Sequence, residues 1–350
     1  MKIKIKDISI RSISSCVPKD ILDLNSIGIS DKENVSNKKV IDTTGISSVR
    51  ISNNSTTTSD LCFKSALELL KVTGVDPKEI DGLIFVSQTG DFLMPQTSHI
   101  LQDRLGLKIN TICFDLPIGC NGYIYGLFQA SLLIQSNSCD KVLVLCGDTT
   151  TKLINEKDKS LKMVFGDGGS ATLLEKGEDE LSFIIYSDGE RHRDLIIPSG
   201  GCRKPYKESN DELIVDKDGN FRTESDLFMD GMAIFNFAMK RVPAIIEEML
   251  SFVSWEKDEV DLFAFHQANK FMIDYLRKKV RVELDKMPVV VDGFGNTGPA
   301  TIPILITETL NNDNISNYKK VILCGFGVGL SWGAVSCDLS KTKIIKTLEY

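Results

Sequence analysis

Little in this chain points toward metal, membrane or nucleic acid. Histidine is scarce, with three in 350 residues, and the nine cysteines form no CxxC pair and no ligand-like spacing with them. Neither a metal site nor a disulfide framework is therefore expected, and unpaired thiols suit the cytoplasm. Long apolar runs are missing too, so no membrane partner is expected. The opening MKIKIKDISI alternates lysine and isoleucine at period two, a strand pattern without the continuous apolar core of a signal peptide. Nor is positive charge in excess: the formal net charge of −7 argues against a nucleic-acid surface. Low-complexity tracts are absent, and 42% apolar with 25% charged residues is ordinary globular composition.

What the chain does have is length and alternation. At 350 residues it exceeds what one core grows to easily, so two joined domains or one large layered domain are expected. Short apolar strands (residues 82–88, 111–115, 141–148, 261–267 and 320–327) alternate with amphipathic helices (59–72, 96–105, 121–136, 233–252 and 270–280), the order of a layered α/β fold. The chain also echoes itself. KVLVLCG near residue 144 resembles KVILCG near residue 322, DGLIFVSQ is placed like DLFAFHQA, and each half closes with an apolar strand after glycines, GGSATLLE and GLSWGAVSC. Two similar α/β halves, residues 1–175 and 176–350, follow from that repetition. The polar stretch 189–226 reads as an irregular insertion at the start of the second half.

Cys120 lies in DLPIGCNGY, between a strand and the helix that opens NGYIYGLFQ. Amides at a helix N-terminus lower a thiol pKa and offer donors to an oxyanion, while Gly119 and Gly122 permit close approach. Free cysteine is usually a small buried apolar group, and Cys62, Cys146 and Cys324 fit that description. Of the histidines, His99 and His192 read as structural or exposed. His266 ends the buried strand DLFAF and faces the next loop, where α/β sheets place functional groups, although a lone histidine there is more often structural. Asn296 occupies a glycine-rich turn, DGFGNTGPATIP, where αL geometry or capping would also explain it. GFGVGLSWG, residues 325–333, is a glycine run that a tight hairpin would equally explain.

In this order and spacing the motifs resemble the ketoacyl-ACP synthase III family of the thiolase superfamily, over essentially the whole chain. TGISSVRIS, FGDGGSATLL, MDGMAIFNFAMKRVP and the terminal GFGVGLSWG carry the resemblance alongside IGCNGY, HQAN and GNT. It implies a thiolase-like fold, two α/β halves in α-β-α-β-α layers. It also implies a cytoplasmic homodimer that needs no cofactor. Cys120 would be acylated, and His266 and Asn296 would polarise the thioester carbonyl of a malonyl-carrier substrate as decarboxylation leaves an enolate. The amides of Cys120 and Val328 would form a second oxyanion hole, and Phe326 an apolar wall. Thiolases would carry a further cysteine in the last glycine loop, elongating synthases a histidine in place of Asn296, and plant-type polyketide synthases a GFGPG loop; this chain has none of these.

Certain departures bear on the primer. Family members that take acyl-CoA carry a tryptophan and an arginine shortly before TGI, where this chain has Lys39 and Thr43, so the primer acyl thioester is expected on a carrier protein as readily as on CoA. Pro299 stands where small residues are usual. Met94 resembles the residue that reaches into the partner's acyl pocket. Arg277, Lys278, Lys279 and Arg281, with Lys240 and Arg241 on a neighbouring helix, would dock an acidic carrier protein, although such runs are often solvated faces. Transfer of the acyl group to an alcohol or amine without decarboxylation is the alternative chemistry.

Overall fold

The computed structural model describes residues 1–27, 31–216 and 219–350, so residues 217 and 218 of the expected insertion lie outside the described residues. Nine strands form one continuous sheet: β1 (Lys2–Val17), β2 (Gly82–Val86), β3 (Ile112–Leu116), β4 (Lys141–Asp148), β5 (Gly168–Ser187), β6 (Leu262–Phe265), β7 (Val321–Gly327), β8 (Ser331–Cys337) and β9 (Lys343–Glu349). Its main path runs β6-β7-β8-β5-β4-β2-β3, with β1 pairing antiparallel to β5 and parallel to β9. The helices that matter for function are α1 (Asp31–Thr44), α2 (Thr58–Thr73), α3 (Thr97–Arg104), α4 (Gly122–Gln135), α5 (Gly231–Val253), α6 (Lys270–Val280) and α7 (Thr301–Thr309).

Side-chain alternation along the strands turns this sheet into five layers. On β2, Leu83 and Phe85 pack outward with α2 and α3, whereas Ile84 and Val86 face inward onto Tyr123, Ile124 and Leu127 of α4. On β7, Val321 and Leu323 face the same inner core, shared with Ile302, Leu305 and Ile306 of α7, while Ile322, Cys324 and Phe326 face α5 and α6. The order is therefore α2/α3, sheet, α4/α7, sheet, α5/α6, the thiolase-like arrangement. A fully buried Leu, Ile or Phe contributes about 1.5–3 kcal/mol by leaving water, so strands buried on both faces hold the layers firmly.

The two sheet layers are joined by the long pair β1 and β5. The first part of β5 pairs with β4 and its last part, Ser182 to Ser187, with β8, so one strand belongs to both layers. Register shifts between Lys6 and Ile8 and between Ile10 and Ser12 mark the crossing, where Asp7 takes a left-handed φ of 62°. Gly177 lies against Ser9 there, leaving no room for a Cβ. The strand expected over residues 168–175 thus continues to Ser187, and the junction between residues 175 and 176 falls inside it. Its middle, KGEDE, is charged because that stretch is partly solvent-exposed.

Helix ends agree with the sequence to within two residues, and local chemistry explains them. Asp60 accepts from the Thr57 amide at the start of α2, and Gly74 ends that helix at φ 69°. Asn269 caps α6 by accepting from the Met272 amide at 2.8 Å. The stretch 189–226 is irregular, as its composition suggests, with only two-residue strands and 3-10 turns among its described residues. Among the described residues no helix is long and apolar enough to cross a membrane.

Candidate active site

Cys120 sits in the turn between β3 and α4, and its flanking glycines answer a packing need. A Cβ on Gly119 would lie 2.4 Å from Gln88 Oε1 and 2.7 Å from Val328 Cγ1, and one on Gly327 would lie 2.7 Å from Cys120 Cβ. The cysteine thus packs directly against the Gly327 backbone, and Gly119 beside it leaves room for Gln88 and Val328. The amides of Val328 and of Cys120 itself face the sulfur.

The expected low thiol pKa is not found. Burial, and secondarily the Asp148 carboxylate, push the Cys120 thiol up from an ordinary 9.0 to about 12, and the two amides recover only part of that shift. Magnitudes explain the outcome. A helix terminus supplies roughly 0.3–1 kcal/mol, less than one pKa unit, whereas full desolvation moves a group by up to about 3–5 units. Cys62, Cys146 and Cys324 are fully buried core residues whose thiols burial also raises.

His266 follows β6, its amide donating to Cys324 O of β7 at 2.8 Å. Its ring meets Phe326 edge-on at 5.4 Å, and burial pulls its pKa down from 6.5 to about 3, so the imidazole is neutral. Nδ1 lies 2.7 Å from the Thr301 hydroxyl, which also lies 3.0 Å from the Gly298 carbonyl. That hydroxyl donates to the Gly298 carbonyl when Nδ1 carries the ring proton, and to Nδ1 when it does not. When it donates to Nδ1, the ring proton is on Nε2, facing the cavity as a donor.

Asn296 is held by main-chain bonds from the other half of the chain: its amide donates to Val164 O at 2.8 Å and its carbonyl accepts from Gly166 at 3.1 Å. Its side-chain Oδ1 accepts from the Gly298 amide at 3.1 Å, which turns the Nδ2 donors away toward the cavity. Pro299 packs against the start of α4 at Gly122 and helps fix this turn.

Cys120, His266, Asn296 and Phe326 line one cavity of about 360 Å³, with Phe165, Phe235, Met272 and Phe271 on its other walls. A second cavity of about 280 Å³ also reaches Cys120 but neither His266 nor Asn296; Gln88, Thr89, Asp148, Thr150 and Val328 line it. The irregular stretch reaches both: Leu195 touches the two cavities, and Ile196 and Ile197, with Leu227 just beyond the stretch, line the second.

The remaining expected residues lie outside these cavities. Lys278, Lys279 and Arg281 are exposed around the end of α6, whose first turn carries Phe271 at the first cavity. Arg277 is half-buried beside Asp274, and Arg241 is committed to Asp188 and to the face of Trp332. Lys39 and Thr43 are exposed on α1. Met94 is 82% exposed in a tip with Phe92 and Leu93. His99 and His192 are exposed and line neither cavity. Among the described residues no cluster of three His, Cys, Asp or Glu could hold a metal.

Two residues escaped the sequence reading. Thr301 reads as an ordinary helix start in GPATIP. Asp148 closes the apolar strand KVLVLCGD, and the strand-end rule that drew attention to His266 would have found it too.

Comparison with known proteins gives the family. Residues 114–189 match the family described as 3-oxoacyl-[acyl-carrier-protein (ACP)] synthase III, and residues 250–339 match its C-terminal counterpart. The chain is 34% identical over 296 residues to the beta-ketoacyl-[acyl-carrier-protein] synthase III of Streptococcus gordonii, covering 83% of this chain and 87% of that protein. It is 33% identical over 316 residues to that of Syntrophomonas wolfei, covering 89% and 92%. A crystal structure of a 3-oxoacyl-(acyl-carrier protein) synthase from Burkholderia xenovorans superposes with a TM-score of 0.92 at 35% identity, over 100% of this chain and 99% of that one. With these relatives and this layered fold, the chain belongs to the ketoacyl-ACP synthase III family of acyl-transferring synthases.

Proposed function

We propose that this enzyme loads an acyl group on Cys120 and then condenses it with a malonyl-carrier thioester, releasing carbon dioxide. The observation that carries the reading is the convergence of Cys120, neutral His266 and the outward amide of Asn296 on one apolar-walled cavity. In the loading step the sulfur attacks the donor thioester, the carbonyl oxygen becomes negative beside the amides of Cys120 and Val328, and the donor thiol leaves carrying the cysteine's proton. In the second step the malonyl carboxylate departs as carbon dioxide beside Phe326, and its bonding pair becomes an enolate whose oxygen accepts from His266 Nε2 and Asn296 Nδ2. The enolate carbon then attacks the acyl carbonyl and expels the Cys120 thiolate.

Such donors have greatest effect where water is excluded, because the low dielectric strengthens each hydrogen bond to developing charge. A transfer to an alcohol or amine would need a base but not paired donors to a second carbonyl. Exposed Lys39 and Thr43 offer no aromatic platform for a nucleotide, which favours a carrier-bound primer. The exposed end of α6 suits an acidic carrier, although cations in a last turn also offset the helix dipole. We assign the enzyme to the cytoplasm as a homodimer: β3 is an edge strand with Ile112 exposed, and Phe92, Leu93 and Met94 are 66%, 98% and 82% exposed.

Replacing His266 or Asn296 with alanine is expected to slow malonyl decarboxylation about 10²–10³-fold while Cys120 self-acylation, read by intact mass, changes less than about tenfold. Equal loss of both half-reactions would remove the assignment, and acyl transfer with no carbon dioxide would favour the alcohol or amine acceptor.

The buried thiol gives a pH test. Only thiolate is alkylated, so iodoacetamide labelling of Cys120 should rise about tenfold per pH unit between roughly pH 7 and 9 with no plateau. A plateau below about pH 8 would mean that substrate-free Cys120 is already ionised.

Reversing Lys278 and Lys279 to glutamate should raise KM for a malonyl-carrier substrate about tenfold, less at high salt, and leave a small malonyl thioester nearly unaffected. Parallel effects on both substrates would place the docking surface elsewhere.

Sedimentation at micromolar concentration should give a species of twice the 38.8 kDa chain, and Met94→Ala should alter primer preference. A monomer, or an unchanged preference, would dismiss Met94 as part of a partner's pocket.

A further inference from the structure

The second cavity contains a group that the reaction above does not use. Asp148 is 3% exposed, at the end of β4, and one of its oxygens is fully occupied: Oδ1 accepts from the Ser87 hydroxyl at 2.9 Å, the Gln88 amide at 2.7 Å and the Thr89 hydroxyl at 2.9 Å. These bonds alone would explain a structural carboxylate. Oδ2 takes no part in these three bonds, and the Thr89 amide also faces the carboxylate. It lies 2.7 Å from where a Cβ on Gly298 would sit, and both residues line the cavity.

A second polar group stands on the same wall. Thr150 is buried, lines the cavity, and its hydroxyl has no partner among the described residues. Buried polar groups normally find partners, and an oxygen left open costs about 1–3 kcal/mol unless water or a ligand reaches it. Gln88 and Thr89 also line the cavity, and Leu153, Phe165, Leu195 and Leu227 supply its apolar wall. A plain alkyl chain would fill this cavity while displacing water from Asp148 and Thr150 with nothing in exchange.

With the Cys120 acyl group seated in the second cavity, we propose that Asp148 Oδ2 and the Thr150 hydroxyl select a short acyl group bearing a hydrogen-bond donor, a hydroxyl or an amine. The assignment rests on Cys120 being the acylated residue. It gives the two cavities separate tasks: the one with His266 and Asn296 serves the enolate, and the one without them holds the primer. Burial raises the Asp148 carboxyl to about 6, so near neutral pH it still offers an accepting oxygen. A site shaped to bond a substrate hydroxyl discriminates strongly against the analogue lacking it, because the site's own groups are then stranded.

The test loads the full-length enzyme with matched N-acetylcysteamine thioesters of butyryl, 3-hydroxybutyryl and 3-aminobutyryl groups and follows Cys120 acylation by intact mass. At least one donor-bearing thioester should load about tenfold faster than butyryl or more, and which one separates hydroxyl from amine. Thr150→Val should shrink that ratio to about threefold or less. Asp148→Asn should also shrink it, with the circular-dichroism spectrum of each variant checked against the parent, since Oδ1 holds the 87–89 turn. Butyryl loading as fast as both analogues overturns the proposal and leaves the acyl-enzyme reading intact; a ratio unmoved by Thr150→Val overturns it as well. If every thioester acylates Cys120→Ala as fast as the parent, the acyl-enzyme reading itself fails, and this assignment with it.

Discussion

The proposed site rests on one long strand, β5, which pairs with β1 along its length and crosses both sheet layers. Cys120 arrives from one layer, between β3 and α4, and His266 from the other, at the end of β6. Their separation is therefore set by how rigidly the layers are joined. Two independent sheets could slide; a strand that pairs with β4 at one end and β8 at the other cannot do so without breaking ladder hydrogen bonds. The Asn296 turn repeats the device on a smaller scale, tied by main-chain bonds to Val164 and Gly166.

Burial is the second constraint, and it acts on both titratable side chains of the proposed site at once. It raises the thiol and lowers the imidazole, so each is uncharged before substrate arrives. On the proposed reading, charge then appears only as bonds change, beside the amides of Cys120 and Val328 and the donors of His266 and Asn296. This is preorganisation in the ordinary electrostatic sense: the dipoles are fixed by the fold and need no reorientation during the reaction.

Much of this was legible in the sequence because strand ends, glycine turns and helix starts have short-range signatures. Cys120, His266 and Asn296 each stand at such a place. The continuation of β5 to Ser187 was not legible, since KGEDE carries the charge of a loop and becomes a strand only through pairing with β1, far away in sequence. The thiol pKa was misjudged for a similar reason: the helix terminus is visible locally, but the enclosure that overrides it comes from Gly327 and Val328, more than two hundred residues on. Thr301 and Asp148 look like a helix start and a strand end until their partners are seen.

Cys120 and Phe165 belong to the walls of both cavities. On the proposed reading, the cavity with His266 and Asn296 takes the primer donor and afterwards the extender, and the thiol between the cavities is where the primer waits. Two carriers would then compete for that one cavity. The kinetics would be of the double-displacement kind, in which the first carrier departs before the second enters and an excess of either obstructs the other. Throughput would depend on the supply ratio of loaded primer to extender, and one shared cavity would make the enzyme sensitive to the balance of its two substrate pools.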